Sequence, residues 1–375
     1  MGTDSVIYIR TDGNPTIATG HLVRCLCIAQ ALEKLGEKVC FLISDTTSYE
    51  LLKDLCNTVF YGVVFSFEVK ILESAVYNNL DLEIDELSDF LSKSTNFFEK
   101  NSLSCATSES STGSKPTILI DSYYVSETYF TALNQVAKVA YMDDLRAFDY
   151  DVDLVINYDV IPSSRTEEYR LAYTKAKTTL LGAEYTPLRE QFQNQSIALK
   201  ETIQNVLITS GGSDPYHFTE AISSFLIAQN FDFNMHVVVG RLFDNVAALE
   251  TLSRDYPQIH LHQNVKDMAS LMKQCDYAIS AAGTTLYELC ALGIPTISFT
   301  MADNQIIMAR TFAETEAIPY AGDIRSNPSS VLNIVKERLT SSMQNMDNYN
   351  HQHLLMQQVT NGNGTILIAQ KLCEL

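Results

Sequence analysis

A histidine stands where the first strand-like run of the chain gives way to a helix. The run "VIYIR" (6–10) leads into the turn "TDGNPTIATG", and then into "HLVRCLCIAQALEKLG", whose apolar spacing predicts a helix over 21–35. His21 therefore falls in the first turn of that helix, directly after Gly20. The free N–H groups of a helix start favour neutral imidazole. Neutral imidazole is the form a general base requires. The same position suits an ordinary capping or solvent-facing histidine, so the chemical reading needs support from elsewhere. Arg24, one turn on, reads either as an anion contact or as a surface charge.

Two more turns share this design of strand, small residues and helix start. They are "ITSGGSDPYHFT" (208–219) and "ISAAGTTLYEL" (279–289). Small residues let a ligand approach the backbone, and the unpaired N–H groups of a helix start attract anions. Two such starts in one half of the chain suit a diphosphate. Glu288, one turn into the third helix, is placed to accept from ribose hydroxyls. Any one glycine-rich turn is more often a plain cap; three together carry the argument. No GxxxxGK[ST] and no GxGxxG occurs, which removes the P-loop and the standard dinucleotide fingerprint. "FTMADNQ" (299–305) also leaves a strand for a helix, so Asp303, Asn304 and Gln305 point to the same edge unless they only cap. "IDSYY" (120–124) ends a strand of the first half and offers Tyr123. The pairs "HLH" (260–262) and "HQH" (351–353) lack a Cys, Asp or Glu at zinc-like spacing and are read as surface or packing residues, so no metal is expected. No GxSxG is present.

The elements that must position these residues alternate strand and helix along the whole chain. The pattern predicts an α/β protein of two doubly wound, Rossmann-like domains facing a cleft. The first domain covers 1–190, with a Ser/Thr-rich surface loop near 101–115 and an irregular segment at 57–67. The pattern loosens over 186–204, where a linker is placed, and restarts at "NVLITSGG" for a second domain over 200–350. A last helix (364–374), within the segment 351–375, has the option of packing back on the first domain.

Composition narrows the partners. In 375 residues, 26 Lys+Arg stand against 45 Asp+Glu, a net charge of -19, which repels nucleic acid. A small anion would instead be held by backbone N–H groups. The 8 cysteines include no CxxC pair and suit reduced, buried thiols. "MGTDSV" has Val6 where a myristoylation signal needs Ser or Thr, and no secretory leader or spanning run is present. The expectation is a cytoplasmic protein without membrane insertion; the oligomeric state is left open.

Seven stretches occur in one order: "GHLVRCLCIAQAL", "IDSYYVSE", "VAYMDDLRAFDYDVDLVIN", "LLGAEYTPLREQF", "SGGSDP", "SAAGTTLYELCALGIPTISF" and "ADNQ". Together they resemble the PseG family, the UDP-2,4-diacetamido-2,4,6-trideoxy-β-L-altropyranose hydrolases of pseudaminic acid biosynthesis, over roughly 6–320. "AGTTLYEL…GIPTI" also looks like GT-B glycosyltransferases such as MurG. The resemblance implies a GT-B fold whose C-terminal domain binds UDP, and a reaction without metal or cofactor. In it, water attacks the anomeric carbon of a UDP-sugar and UDP leaves. By motif match, His21 would be the base or water-positioning residue, with Asn304 and Tyr123 on the sugar. Gly212, Ser213, Thr284 and Thr285 would hold the diphosphate and Glu288 the ribose. Asp12, Gly20, Arg24, Gly211, Gly283, Asp303 and Gln305 complete the implied substrate contacts. One departure is "ATGH", which has Ala18 where the family's turn has glycine. The rival readings are a GT-B glycosyltransferase using a UDP-sugar donor, and a non-catalytic nucleotide-sugar binder in which His21 is only a cap.

Overall fold

In a computed structural model, residues 6–101 and 115–375 are described, and the chain divides into two compact units. The loop expected near 101–115 falls almost wholly on 102–114, outside the described residues. Unit 1 comprises residues 1–159, 164–187 and 364–375; unit 2 comprises 160–163 and 188–363.

Unit 1 is built from β1 (Val6–Thr11), α1 (Gly20–Lys34), β2 (Lys38–Ile43), α2 (Thr46–Thr58), β3 (Glu68–Ile71) and α3 (Ile84–Asn101). It continues with β4 (Thr117–Asp121), α4 (Glu127–Val136), β5 (Lys138–Met142), β6 (Leu154–Asn157), α5 (Thr166–Leu171) and β7 (Thr178–Leu181). Its seven strands lie in the order β3-β2-β1-β4-β5-β6-β7, all parallel. The direction of winding reverses between β1 and β4, and the gap above the carboxyl ends of such a pair is where doubly wound sheets bind ligands. Both faces of the sheet are covered, so strand residues alternate between two cores. Ile7 and Ile9 pack with Leu22, Leu26 and Ala29 of α1; Tyr8 packs with Ile118, Tyr129 and Leu133 on the other face.

Unit 2 runs β8 (Asn205–Thr209), α6 (Phe218–Ala228), β9 (Asn234–Val239), α7 (Val246–Asp255), β10 (Ile259–Gln263), α8 (Met268–Met272), β11 (Tyr277–Ala281) and α9 (Thr285–Leu292). Then follow β12 (Thr296–Thr300), α10 (Asp303–Glu314), β13 (Tyr320–Asp323), α11 (Pro328–Gln344) and α12 (Met346–Val359). The six strands are again parallel, in the order β10-β9-β8-β11-β12-β13, with the reversal between β8 and β11. β13, α11 and α12 are not resolved by the sequence pattern. α11 is capped by Asn327, whose Oδ1 accepts from Ser330 N (2.9 Å), with Pro328 in its first turn.

Two boundaries differ from the sequence reading. Of the loosened stretch 186–204, residues 188–204 belong to unit 2 and bury Phe192 and Ile203. Of the terminal segment 351–375, α12 stays in unit 2, while the last helix, α13 (Gly364–Cys373), joins unit 1. There α13 packs on α1, and Ile368, Ala369 and Leu372 enter the same core as Leu22 and Leu26. Gly364 makes that return possible, because a Cβ there would meet Thr186 O at 2.4 Å. The segment 57–67 reads oddly because it is an aromatic plug without a strand: buried Phe60 meets Phe65 edge-on (centroids 5.6 Å), and Phe67 meets Phe41 of β2 (4.8 Å).

Ile368 is fully buried in unit 1 although it lies near the end of the chain. Ile368→Ala is expected to destabilise unit 1 by about 2–4 kcal/mol, seen as a lower denaturant midpoint for that unit's transition.

Candidate functional site

In unit 1 the chemistry gathers at the reversal between β1 and β4. α1 starts at Gly20 with no side-chain cap and no acidic residue in its first turn. The turn before it is shaped by Asn14, whose Oδ1 accepts from Thr16 N (2.8 Å) and Ile17 N (3.1 Å). Gly13 makes room there for Leu22, since a Cβ would sit 2.4 Å from Leu22 Cδ1. Ala18 holds a left-handed backbone (φ 58°), which costs an L-residue roughly 1–2 kcal/mol. That explains why glycine is the expected occupant of this place.

His21 and Arg24, three apart, share one face of α1 and converge on Asp121, the last residue of β4. His21 Nδ1 lies 2.6 Å from Asp121 Oδ1, and Arg24 Nε donates to Oδ2 at 2.7 Å. Arg24 Nη2 also donates to Oδ1, and the Cys25 thiol to Oδ2 at 3.3 Å. Asp121 is buried, which pushes its carboxyl up, but Arg24 and then His21 outweigh the burial and hold it well below the usual carboxylate range. An ionised carboxylate only accepts, so the proton on the short contact belongs to His21 Nδ1. The 3.1 Å approach of Arg24 Nη2 to Nδ1 is then proximity without a hydrogen bond. This tautomer leaves the Nε2 lone pair free, and Nε2 makes no hydrogen bond among the described residues.

The surroundings extend the network. Arg24 Nη1 reaches Asp144 (2.8 Å) and Tyr158 Oη (2.5 Å). Tyr123 stands edge-on to His21, with ring centroids 4.4 Å apart. Burial, then the charge of Asp144, push the Tyr123 phenol up to about 12, so it remains a proton-bearing donor near neutral pH. Asp12 is spent within the protein: Oδ2 takes Arg10 Nη1 (2.5 Å) and Oδ1 takes Ser44 N (2.7 Å) and Ser48 Oγ (3.3 Å). Arg10, fully buried, also binds both oxygens of Glu83. Asp12 thus anchors the turn rather than presenting a carboxylate to solvent.

In unit 2 the two small-residue turns leave the adjacent strands β8 and β11, but they are not equivalent. α9 begins at Thr285 without a side-chain cap, and the N–H groups of Gly283, Thr284 and Thr285 have no acceptor among the described residues. An open helix start of this kind is the feature that attracts anions in general. The "SGGSDP" turn is a loop ahead of α6. Asp214 accepts from Phe218 N (2.9 Å) and Thr219 N (2.8 Å), so the helix start itself is already occupied by a carboxylate. The expectation of two open helix starts is corrected to one start plus a loop: the exposed N–H groups of Gly212 and Ser213 remain, with Gly211 at φ 83°. The loop lies directly on Gly240 at the end of β9, where a Cβ would meet Gly211 O at 2.4 Å and Gly212 O at 2.5 Å.

Glu288 Oε1 accepts from Arg189 Nη2 at 2.8 Å, both side chains being mostly buried. At the start of α10, Gln305 Oε1 reaches back to Met301 N (2.8 Å), a capping role. Asp303 pairs with Arg325 (2.6 Å) at the surface, and Asn304 is exposed. Of the "HQH" pair, His353 Nδ1 donates to Gly293 O (2.5 Å), closing the end of α9. No group of three or more His, Cys, Asp or Glu among the described residues could hold a metal.

The sequence reading missed Asp121, Asp144, Tyr158, Gly240 and Arg189. Asp121 had a legible signal: an acid ending the otherwise apolar strand "TILID", next to the strand that delivers His21. The partners Asp144 and Tyr158 had none, since they arrive from β5–β6 only after folding.

A family described as "Protein of unknown function (DUF354)" matches residues 229–363. The chain is 31% identical over 175 residues to the Spore coat polysaccharide biosynthesis protein SpsG of Bacillus subtilis, covering 45% of this chain and 52% of that protein. It is 34% identical over 111 residues to the Pseudaminic acid cytidylyltransferase and UDP-2,4-diacetamido-2,4,6-trideoxy-beta-L-altropyranose hydrolase of Helicobacter pylori, covering 29% of this chain and 19% of that protein. The chain thus spans about half or less of these curated relatives. Among solved structures, MurG of Acinetobacter baumannii superposes with a TM-score of 0.67 at 16% identity, covering 99% of this chain and 100% of that one. The fold is therefore of the GT-B glycosyltransferase type.

The buried Asp121 ties stability to acid. Its folded pKa lies below the unfolded value near 3.9, so its contribution is full above about pH 4 and drains as the pH falls towards the folded value. Asp121→Asn is expected to lower the urea midpoint at pH 7 and to flatten its fall between about pH 5 and 3. Parallel acid limbs in parent and variant would rule the assignment out.

Proposed function

We propose that the chain acts on a nucleotide-sugar as a UDP-sugar hydrolase. The observation that carries this reading is the His21–Asp121 pair: a buried ionised carboxylate fixes the imidazole tautomer and leaves Nε2 open at the carboxyl edge of β1 and β4. In the proposed reaction Nε2 takes a proton from water as the water oxygen bonds to the anomeric carbon. The bond from that carbon to the diphosphate oxygen breaks, and UDP departs with the bridging oxygen. Asp121 steadies the imidazolium that forms. Arg24 holds Asp121 ionised, and Tyr123 offers a neutral hydroxyl to the sugar. In unit 2 the open N–H groups of Gly283, Thr284 and Thr285 are proposed to take the diphosphate, together with those of Gly212 and Ser213. Glu288, held by Arg189, keeps its ribose role, and Asn304 its sugar contact. Asp12, Gly20, Gly211, Asp303 and Gln305 are proposed to act by shaping these turns.

For the sugar, the 34% match to the Helicobacter pylori protein, whose name includes the hydrolysis of a diacetamido-trideoxy UDP-sugar, supports that substrate class. The likeness to MurG keeps a second reading in view, transfer of the sugar to an acceptor from the same UDP donor. Incubating the protein with a panel of UDP-sugars in EDTA and without acceptor, with products followed by NMR, separates the two. Hydrolysis should release UDP and free sugar, and in labelled water the label should enter the sugar. Turnover only with an added acceptor would establish transfer instead; no turnover with tight UDP-sugar binding would leave a binding protein.

Two variants test the division of labour. A positioned base contributes about 10²–10⁴-fold, so His21→Asn should lower kcat by about that factor and leave UDP affinity nearly unchanged. Gly240→Ala should do the opposite. Its methyl pushes on the 211–212 backbone, and UDP affinity measured by calorimetry should fall about tenfold or more through lost N–H contacts.

A further inference from the structure

The "HLH" pair gains a third histidine on folding. In the sheet of unit 2, edge strand β10 pairs with β9, and His260 lies opposite His236 in register. His262, two residues on, shares their face. The three rings cluster there, with centroids 5.2 Å (His236–His262) and 5.3 Å (His236–His260) apart. The opposite face of the same strands carries Met235, Val237, Ile259 and Leu261 into the core. His260 is exposed and the other two are partly exposed, so the cluster is open to ions.

The key contact is His236 Nδ1 to His262 Nε2, at 3.0 Å. His236 Nε2 meets Asn205 Oδ1 at 3.2 Å, and that oxygen also accepts from Asn234 Nδ2 at 3.3 Å. An amide oxygen only accepts, so His236 carries its proton on Nε2 and its Nδ1 lone pair faces His262. This is the arrangement by which an outer partner orients a ligating imidazole. His262 supplies the proton of the 3.0 Å contact from Nε2; its other tautomer, with the proton on Nδ1, leaves a second lone pair on the facing nitrogen, and a small rotation of the rings would turn both to one ion. The change shifts one proton between the two nitrogens of His262 and alters no charge.

We propose that His236 Nδ1 and His262 Nε2 form a two-nitrogen chelate for nickel(II) or copper(II), bridging β9 and the edge strand β10. Two nitrogens this close suit a right-angled centre. With metal–nitrogen bonds of about 2.0–2.1 Å, neighbouring ligands lie about 2.8–3.0 Å apart at the right angles of a tetragonal or octahedral centre, and about 3.3–3.4 Å apart at tetrahedral zinc. The separation observed is 3.0 Å. Water would complete the coordination, since no group of three or more ligating side chains is placed among the described residues. The site is independent of the proposed reaction. A bound ion would clasp the exposed edge strand to its neighbour.

Calorimetric titration of the tag-free full chain with nickel(II) should show one site, weakened about tenfold or more by His236→Gln and by His262→Gln. His353→Gln, in the other histidine pair, should change the affinity by less than about twofold. Nickel(II) should bind more tightly than zinc(II). The copper(II) complex of the parent protein, which needs no variant, should show electron paramagnetic coupling to two imidazole nitrogens. The proposal is overturned if nickel(II) fails to bind at millimolar concentration, if both Gln variants keep the affinity, if zinc(II) binds more tightly, or if copper(II) couples to fewer than two nitrogens. Any of these leaves the pair a hydrogen bond between rings.

Discussion

An ionised carboxylate is buried at the end of β4, and much of unit 1 is arranged to compensate it. Asp121 is 1% exposed. A lone buried charge of that kind would cost several kcal/mol, so it persists only with partners. Arg24 supplies a two-pronged guanidinium and His21 an imidazole N–H, both from the first turns of α1. That demand fixes where α1 begins and which face it turns to the sheet. Leu22, Cys25, Leu26 and Ala29 seal the same helix onto β1 and β4, and α13 packs into that core beside them. The open edge of the imidazole is therefore set by a charge balance and by packing together, which is the kind of pre-organisation the proposed base needs.

Unit 2 meets a related demand in the opposite way. No side chain caps the start of α9, and the one acid of its first turn, Glu288, is paired with Arg189; the backbone N–H groups are the positive end. In α6, one strand away, Asp214 fills that role. The contrast leaves one helix start open beside a glycine loop seated on Gly240, which suits a small anion in a chain with a net charge of -19. The same economy of charge explains why Arg189 and Arg325 are both tied to carboxylates instead of standing free.

Much of the fold was legible because parallel strands buried on both faces are apolar runs with few alternatives, as in "VIYIR", "TILID" and "YAIS". β13 ("YAGD") escaped because a short edge strand with a glycine carries almost no such signal. The segment 57–67 was legible as irregular but not as an aromatic plug, because its apolar residues follow no period and find their order only against Phe41. Within the site, His21 could be singled out, since a histidine at a strand exit is a local feature. Asp214 could not be told from a ligand-facing acid, because capping depends on where the helix starts, and here it starts four residues later.

By itself the sequence determined the strand–helix alternation, the small-residue turns and the place of His21 at a helix start. These are set by periodicity and by the local geometry of glycine and helix ends, which act over a few residues. Tertiary structure alone decided what His21 is bonded to. Asp121 lies a hundred positions away, and the pairing of β1 with β4 brings the two together. It likewise decided that His236 meets His262, and that the last helix completes the first unit's core. Strand order and helix docking are chosen by burial summed over the whole chain, and no short stretch carries that sum.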